Sequence, residues 1–252
     1  MQELLPACLD SRGCVTVSEH TFLERKQAAE KIADYILAHY EVELLWRTIK
    51  NHYFYFGEKD RQTIFRDALN TLYPIGEEVK CNIFYNRRKN LVMQKVLEYL
   101  EDTDILELDG FVHFRLYEYV AELSDVVAEA VDRLIAAKEY DEFIGLLKYF
   151  IDLQPHHEHL VHILPTEGGA FELYNEEMAE ITNQNFQDFK KEVLSDSVNF
   201  SDFLISCLIT LAPERIVIHK GDAIKNEELL RTISAVFGKK VSFCHSCPLC
   251  KL

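Results

Sequence analysis

The sequence predicts an α+β protein, in which an N-terminal helical part is followed by a smaller α/β part with a mixed sheet. Apolar residues between Leu116 and Leu134 recur at steps of three and four, which is the period of one helical face. Short apolar runs over Val161–Tyr174 predict a β-hairpin, and residues 215–244 predict a strand–helix–strand unit with parallel strands. We therefore expect three divisions: an N-terminal segment over 1–18, a helical domain over 19–155, and an α/β domain with a cysteine-rich C-terminal tail over 156–252.

The helical part begins behind a short predicted strand. Val15 alternates with polar neighbours after Gly13, which is typical of a turn followed by a strand. The apolar pattern predicts a helix from about Glu19 to Tyr40, which Ser18 or Thr21 could cap, and Thr21 is followed by Glu24 at the spacing of a capping box. Apolar periodicity predicts three further helices, over 42–51, 64–72 and 91–100.

Three clusters in the helical part each allow a structural and a functional interpretation. The aromatic run Tyr53–Phe56 could stack on bases, but no basic groove surrounds it, so we expect it to plug a core at a helix end. The basic run Asn86–Asn90 could contact a phosphate, but we expect a solvated entrance to the helix that follows. The acidic segment 98–109 lacks the spacing of an EF-hand, so we do not expect it to hold a cation.

A turn is expected before the densest helical region. Asp109-Gly110 is a turn signal, and we expect Gly110 to adopt a backbone conformation that disfavours larger residues. Phe111 and Phe114 are expected to anchor this turn in the core.

Two helices are predicted after that turn. The first runs over about 115–137, and Lys138-Glu139 then interrupts the apolar pattern, which resumes in a new phase over 140–151. A break this short predicts two adjacent, roughly antiparallel helices, and Pro155 is expected to lie just past the second.

The α/β part is predicted to contain several short elements. Asn226 is expected to cap one of its helices, and Gly238 is expected to end the same helix. Strands are predicted at 160–164, 171–174, 178–182, 215–219 and 240–244, and helices at 186–194, 200–211 and 227–237.

Two stretches of the chain have distinctive wording, residues 109–116 (DGFVHFRL) and 142–150 (EFIGLLKYF), followed by 211–219 (LAPERIVIH) and, more loosely, 53–56 (YFYF). Through these motifs the chain resembles the YtxC-like family of sporulation proteins from spore-forming bacteria. The resemblance implies a cytoplasmic protein linked to sporulation. It implies no activity and no catalytic residues.

Composition narrows the classes of partner. The formal net charge of −15 disfavours nonspecific binding to nucleic acid, which needs a basic surface. No stretch reaches the roughly 18–20 apolar residues of a membrane span, and the N-terminus lacks the basic region of a secretory signal. We therefore expect a cytoplasmic location and no nucleic-acid partner; that the partner is another protein is what the family resemblance and the absence of catalytic motifs favour.

The C-terminal tail contains the strongest candidate for chemistry. Cys244, Cys247 and Cys250 form two overlapping C-x-x-C units, a spacing that can bind Zn²⁺ or part of an iron–sulfur cluster. The fourth ligand could be His245, Cys207, a remote histidine or a residue of a second chain. Thiol redox chemistry and incidental free thiols remain open as alternatives.

The histidines of residues 156–162 are not expected to form a metal site. The order HHEHLVH does not match the zinc-protease motif His-Glu-x-x-His. If the following residues form a strand, His159 and His162 point to opposite faces. We therefore expect a linker that enters an edge strand.

No standard catalytic motif is present, which leaves three hypotheses. The order of elements in the α/β part is similar to ribonuclease-H-like folds, but the first predicted strand carries His162 and no carboxylate. The leading hypothesis is a non-enzymatic protein that acts in sporulation through protein contacts. A metal-binding protein is the alternative, and a cryptic hydrolase in the α/β part is the third.

Overall fold

The structure is a computed structural model that divides into two compact units, Met1–Ala137 and Lys138–Leu252. The α+β class is confirmed, with a helical N-terminal part and a mixed four-stranded sheet after it. The residues that the structure describes are 13–17, 21–74, 83–155, 157–166, 171–181, 200–221, 224, 226–244, 246–247 and 250.

The first unit packs helices around one apolar core, beside a two-stranded sheet. Thr21 caps the first helix through a capping box with Glu24, as predicted. Val15 pairs with Leu106 in the small antiparallel sheet and is fully buried. The elements are β1 (Cys14–Thr16), α1 (Phe22–His39), α2 (Glu41–His52), α3 (Glu58–Leu72), α4 (Ile83–Asp102), β2 (Ile105–Glu107), α5 (Leu108–Arg115) and the beginning of α6 (Tyr117–Leu153).

The basic run does not form a solvated helix entrance, so that prediction is wrong. It lies inside α4, and Arg88 is only 3% exposed. The Arg88 guanidinium donates to the buried carboxylate of Glu41, with Nε 2.7 Å from Oε1. A helix that begins eight residues earlier than expected turns one cation of the run toward the core.

The aromatic run is only partly a core plug. Tyr53 and Phe56 pack against the core of the first unit. Phe54 and Tyr55, which lie between them in the turn after α2, are 71% and 65% exposed.

Gly110 lies within α5 and not in a turn, and its φ is not positive, so the expected conformation is wrong. The glycine instead leaves room for a cap. The Glu107 carboxylate accepts hydrogen bonds from the backbone N–H groups of Asp109 and Gly110, and a Cβ on Gly110 would clash with Oε2 of Glu107. Phe111 is buried as predicted, but Phe114 is 75% exposed.

The predicted break at Lys138-Glu139 is also wrong, since α6 is one continuous helix. Its early residues, such as Leu123 and Val127, belong to the core of the first unit, and Ile144 and Ile151 belong to that of the second. The change of phase therefore marks the point where the helix leaves one core and enters the other. It does not mark a loop.

The second unit is built on a sheet with strand order β4-β3-β5-β6. The predicted hairpin and the parallel β5–β6 crossover are confirmed, as are the Asn226 cap and the terminal Gly238. Beyond the last part of α6, the described elements are β3 (Leu160–Pro165), β4 (Phe171–Tyr174), α7 (Phe200–Leu211), β5 (Arg215–His219), α8 (Glu227–Phe237) and β6 (Val241–Cys244).

Two details of this sheet differ from expectation. β3 is an internal strand, parallel to β5 and antiparallel to β4, and not an edge strand. In place of the strand expected at 178–182, Glu180 forms a single bridge with Tyr174. The helix expected at 186–194 lies outside the described residues.

Within the described residues, no helix combines the length and apolarity that crossing a membrane requires.

Candidate metal centre

The site forms where two parallel strands end side by side. β5 and β6 are paired in register, so His219 lies opposite Cys244 at the carboxyl edge of the sheet. The carboxyl ends of parallel strands meet at one edge, and this edge commonly carries the binding residues of α/β sheets. The sheet topology therefore places the imidazole of His219 next to the thiol of Cys244, which lies 25 positions later in the chain.

The segments on either side of this pair turn tightly. After β6 the chain folds back, and the Cys250 backbone N–H donates to the Cys247 carbonyl at 3.0 Å, which returns both thiols to the strand ends. After β5, Lys220 adopts a left-handed conformation with φ of 48°. The next residue is Gly221, where a Cβ would lie 3.1 Å from the Phe243 ring of β6.

Four potential ligand atoms converge as a result. Nδ1 of His219 lies 3.2 Å from Sγ of Cys247 and 3.5 Å from Sγ of Cys250. Sγ of Cys250 lies 3.6 Å from that of Cys247 and 3.8 Å from that of Cys244. All four atoms lie within 4.8 Å of one another.

These separations fit one small tetrahedral ion. Zn–S bonds of roughly 2.3 Å place two sulfur ligands about 3.8 Å apart at the tetrahedral angle. In an iron–sulfur cubane each cysteine binds a different iron, so the sulfurs lie farther apart. A Cys₃His donor set is also a known structural zinc combination. The geometry therefore favours a single zinc ion over a cluster.

The surroundings of Cys244 and His219 favour the protonation states that bind metal. Hydrogen bonding, led by the Ser246 backbone N–H, lowers the pKa of Cys244, and the thiolate is the form that coordinates. His219 is only 2% exposed, and desolvation lowers its pKa, which keeps the imidazole neutral. Nε2 of His219 lies 2.9 Å from Nδ1 of His162, so the ring nitrogen facing the sulfurs is the one left without that bond.

The other ligand candidates do not join the cluster. Cys207 is buried in α7, where desolvation raises the pKa of its thiol to about 12. His159 instead approaches Glu214, with Nδ1 2.5 Å from Oε2. His156 and His245 lie outside the described residues. Among the described residues, no other group of three or more His, Cys, Asp or Glu side chains converges closely enough to hold an ion.

The acidic segment does not form a cation site in the described part of the chain. Asp104 pairs with Arg25, Glu107 caps α5, and Asp109 accepts a hydrogen bond of 2.7 Å from the Tyr40 hydroxyl. These carboxylates are therefore used within the first unit.

The sequence matches the YtxC-like family over residues 26–242. The chain belongs to that family. It is also 22% identical over 202 residues to the uncharacterized protein YtxC of Bacillus subtilis (strain 168), an alignment that covers 80% of this chain and 70% of the relative. No solved structure matches the chain.

The extent of the match matters for the site. His219 lies inside the matched region, but Cys244, Cys247 and Cys250 lie beyond its end at residue 242. The metal centre therefore rests on the geometry of this chain and not on family membership.

The residue that sequence reasoning did not single out is His219. It closes a strand that was predicted, and the partner strand and its parallel direction were predicted too. Aligning the carboxyl ends of those strands would have placed His219 beside Cys244.

Proposed function

We propose that this YtxC-like protein binds one Zn²⁺ through Cys244, Cys247, Cys250 and His219, and that the ion is structural. The observation that carries this proposal is the convergence of three thiols and one imidazole nitrogen within 4.8 Å. Four protein ligands complete a tetrahedral shell, whereas catalytic zinc sites keep one position open for water or substrate. A complete shell supports a non-enzymatic role for this centre over the cryptic hydrolase.

The ion would tie the tail to the sheet. His219 ends β5 and Cys244 ends β6, whereas Cys247 and Cys250 belong to the turn that follows. One ion bound to all four would hold both strand ends and the turn together. Zinc binding of this kind contributes directly to the free energy of folding.

The biological setting is proposed from the family resemblance. We place the protein in the cytoplasm of sporulating cells, where it would act through contacts with another protein. The net charge of −15 supports a protein partner over nucleic acid. A partner recovered by affinity purification from sporulating cells, and absent from vegetative cells, would support this setting. Equal recovery from both would contradict it.

Metal analysis of anaerobically purified protein tests the zinc proposal. We expect about one equivalent of zinc in the wild type and a loss of most of it in Cys247→Ser and His219→Ala, because each removes a ligand. Cys14→Ser is the matched control, since Cys14 lies in β1 of the first unit. Less than about 0.1 equivalent of metal in the wild type would overturn the proposal.

Two other results would redirect the assignment. If the purified protein contained iron and showed visible charge-transfer absorption, the same four ligands would be assigned to iron and not to zinc. A disulfide among the three thiols in protein prepared without oxygen would favour thiol redox chemistry instead.

A further inference from the structure

A second imidazole lies directly behind the proposed fourth ligand. β3 and β5 are parallel, with His162 in register with Val217, so His162 and His219 lie on the same face of the sheet. Nδ1 of His162 is 2.9 Å from Nε2 of His219, and the two ring centroids are 5.1 Å apart. This is hydrogen-bond distance and excludes an intervening water.

We propose that His162 is a positioning residue of the zinc site, which accepts the Nε2–H hydrogen bond of His219 and thereby directs Nδ1 of His219 to the metal. The inference rests on the proposed zinc centre. A neutral imidazole carries one proton, and a metal on Nδ1 requires that proton on Nε2. The Nδ1 lone pair of His162 is the acceptor placed to hold it there.

The arrangement matters because a metal-bound histidine needs a partner for its second nitrogen. Such a partner fixes the tautomer and the ring orientation, and it raises the basicity of the ligand. Without it, the Nε2–H of His219, a residue that is only 2% exposed, would lose its hydrogen bond, which is costly. His162 would thus act on the metal without touching it.

Three variants separate the effect of losing the hydrogen-bond acceptor from the effect of changing the side-chain volume. His162→Leu introduces an apolar side chain of similar size and removes the hydrogen-bond acceptor. His162→Asn restores an acceptor, because its Oδ1 occupies the same place on the side chain as Nδ1 of histidine. His159→Leu is the control, since His159 also lies near the start of β3 but contacts Glu214 instead.

The measurement is zinc affinity by competition with a chromophoric chelator, using full-length protein. We expect His162→Leu to weaken zinc binding by about 10–100-fold, as other losses of such partners do, and His162→Asn to recover most of it. His159→Leu should bind as tightly as the wild type. Unfolding of the metal-free proteins must be unchanged among the variants, so that affinity reports the site alone.

A second readout concerns the tautomer. Long-range ¹H–¹⁵N spectra of the zinc form should show His219 protonated on Nε2, with slow exchange in the wild type and His162→Asn and faster exchange in His162→Leu. Equal affinity in wild type and His162→Leu, or equal loss in the Leu and Asn variants, would overturn the role of His162 while leaving the zinc site intact. A wild type that holds no zinc would overturn the proposed function itself.

Discussion

Each unit of this protein contains a cluster of polar side chains, and the two clusters differ in the charges that they hold. In the first unit, Glu41 is fully buried and its carboxylate pairs with Arg88 and accepts hydrogen bonds from the hydroxyls of Tyr73 and Tyr119. In the second, three thiols surround one nitrogen of His219, and every group in the cluster is an electron-pair donor. The first cluster contains its own cation, whereas the second offers ligands to one.

The difference separates a structural network from a binding site. Burial raises the pKa of Tyr119, and the adjacent Glu41 raises it further, so the phenol stays protonated and remains a donor. Carboxylate, guanidinium and phenols therefore balance charge and hydrogen bonds largely among themselves. The second cluster has no cationic side chain among its four members, and a metal ion is the usual cation that converging thiolates bind.

The largest expected effect tests the apolar core of the first unit, which contains the first cluster. Leu123 is fully buried in α6, and Leu123→Asp places an unpaired carboxylate in that core. We expect a loss of more than about 4 kcal/mol in the free energy of unfolding, measured by urea titration with circular dichroism.

Leu146→Asp is the matched control on the same helix, because Leu146 is 57% exposed. It should change the free energy of unfolding by less than about 0.5 kcal/mol. Equal effects of the two variants would mean that the buried face of α6 is assigned wrongly.

The next effect tests charge balance itself. Glu41→Gln keeps the size of the side chain but leaves the buried guanidinium of Arg88 without its counter-ion. Breaking a buried pair on one side costs about 3–5 kcal/mol. Glu43→Gln, at an exposed position of the same helix, should be nearly neutral. A neutral Glu41→Gln, by the same urea titration, would show that the pair contributes nothing to stability.

Metal removal sharpens the contrast between the clusters. Free zinc at about 100–1,000 times its dissociation constant stabilises a folded protein by about 2.7–4.1 kcal/mol. A strong chelator should therefore destabilise the wild type by roughly this amount, and it should leave Cys247→Ser unaffected. Glu41→Gln should keep its full zinc content, since Glu41 lies in the other unit. If the chelator left the free energy of unfolding of the wild type unchanged, the proposed difference between the two clusters would be contradicted.

The smallest effect compares a helical glycine from each unit. Gly110→Ala pushes a methyl group against the Glu107 cap of α5 and should cost about 1–2 kcal/mol, the usual value of a lost cap. Gly145→Ala has no atom within 4 Å of the added Cβ in α6 and should stabilise by about 0.5–1 kcal/mol. Thermal melts that shift in the same direction would contradict the steric argument at Gly110.

Much of the fold was accessible from the sequence because its signals are local. The Thr21–Glu24 box and the Asn226 cap act over three residues, and both form where the pattern places them. The apolar periodicity of α6 is confirmed, but its change of phase predicts a break that the continuous helix does not contain. A pattern of apolar residues cannot distinguish a broken helix from a continuous helix whose first and second halves belong to different cores.

By itself, the sequence determined the helical faces, the caps, the parallel crossover and the three closely spaced cysteines, because each depends on near neighbours or on consecutive elements of the chain. Only the tertiary structure decided that Arg88 meets Glu41 across 47 positions and that His219 meets Cys247 across 28. Such pairs follow from how elements pack and which strand ends coincide. The spacing of residues along the chain shows neither how elements pack nor which strand ends coincide. The fourth ligand, His219, could therefore be identified only from the sheet.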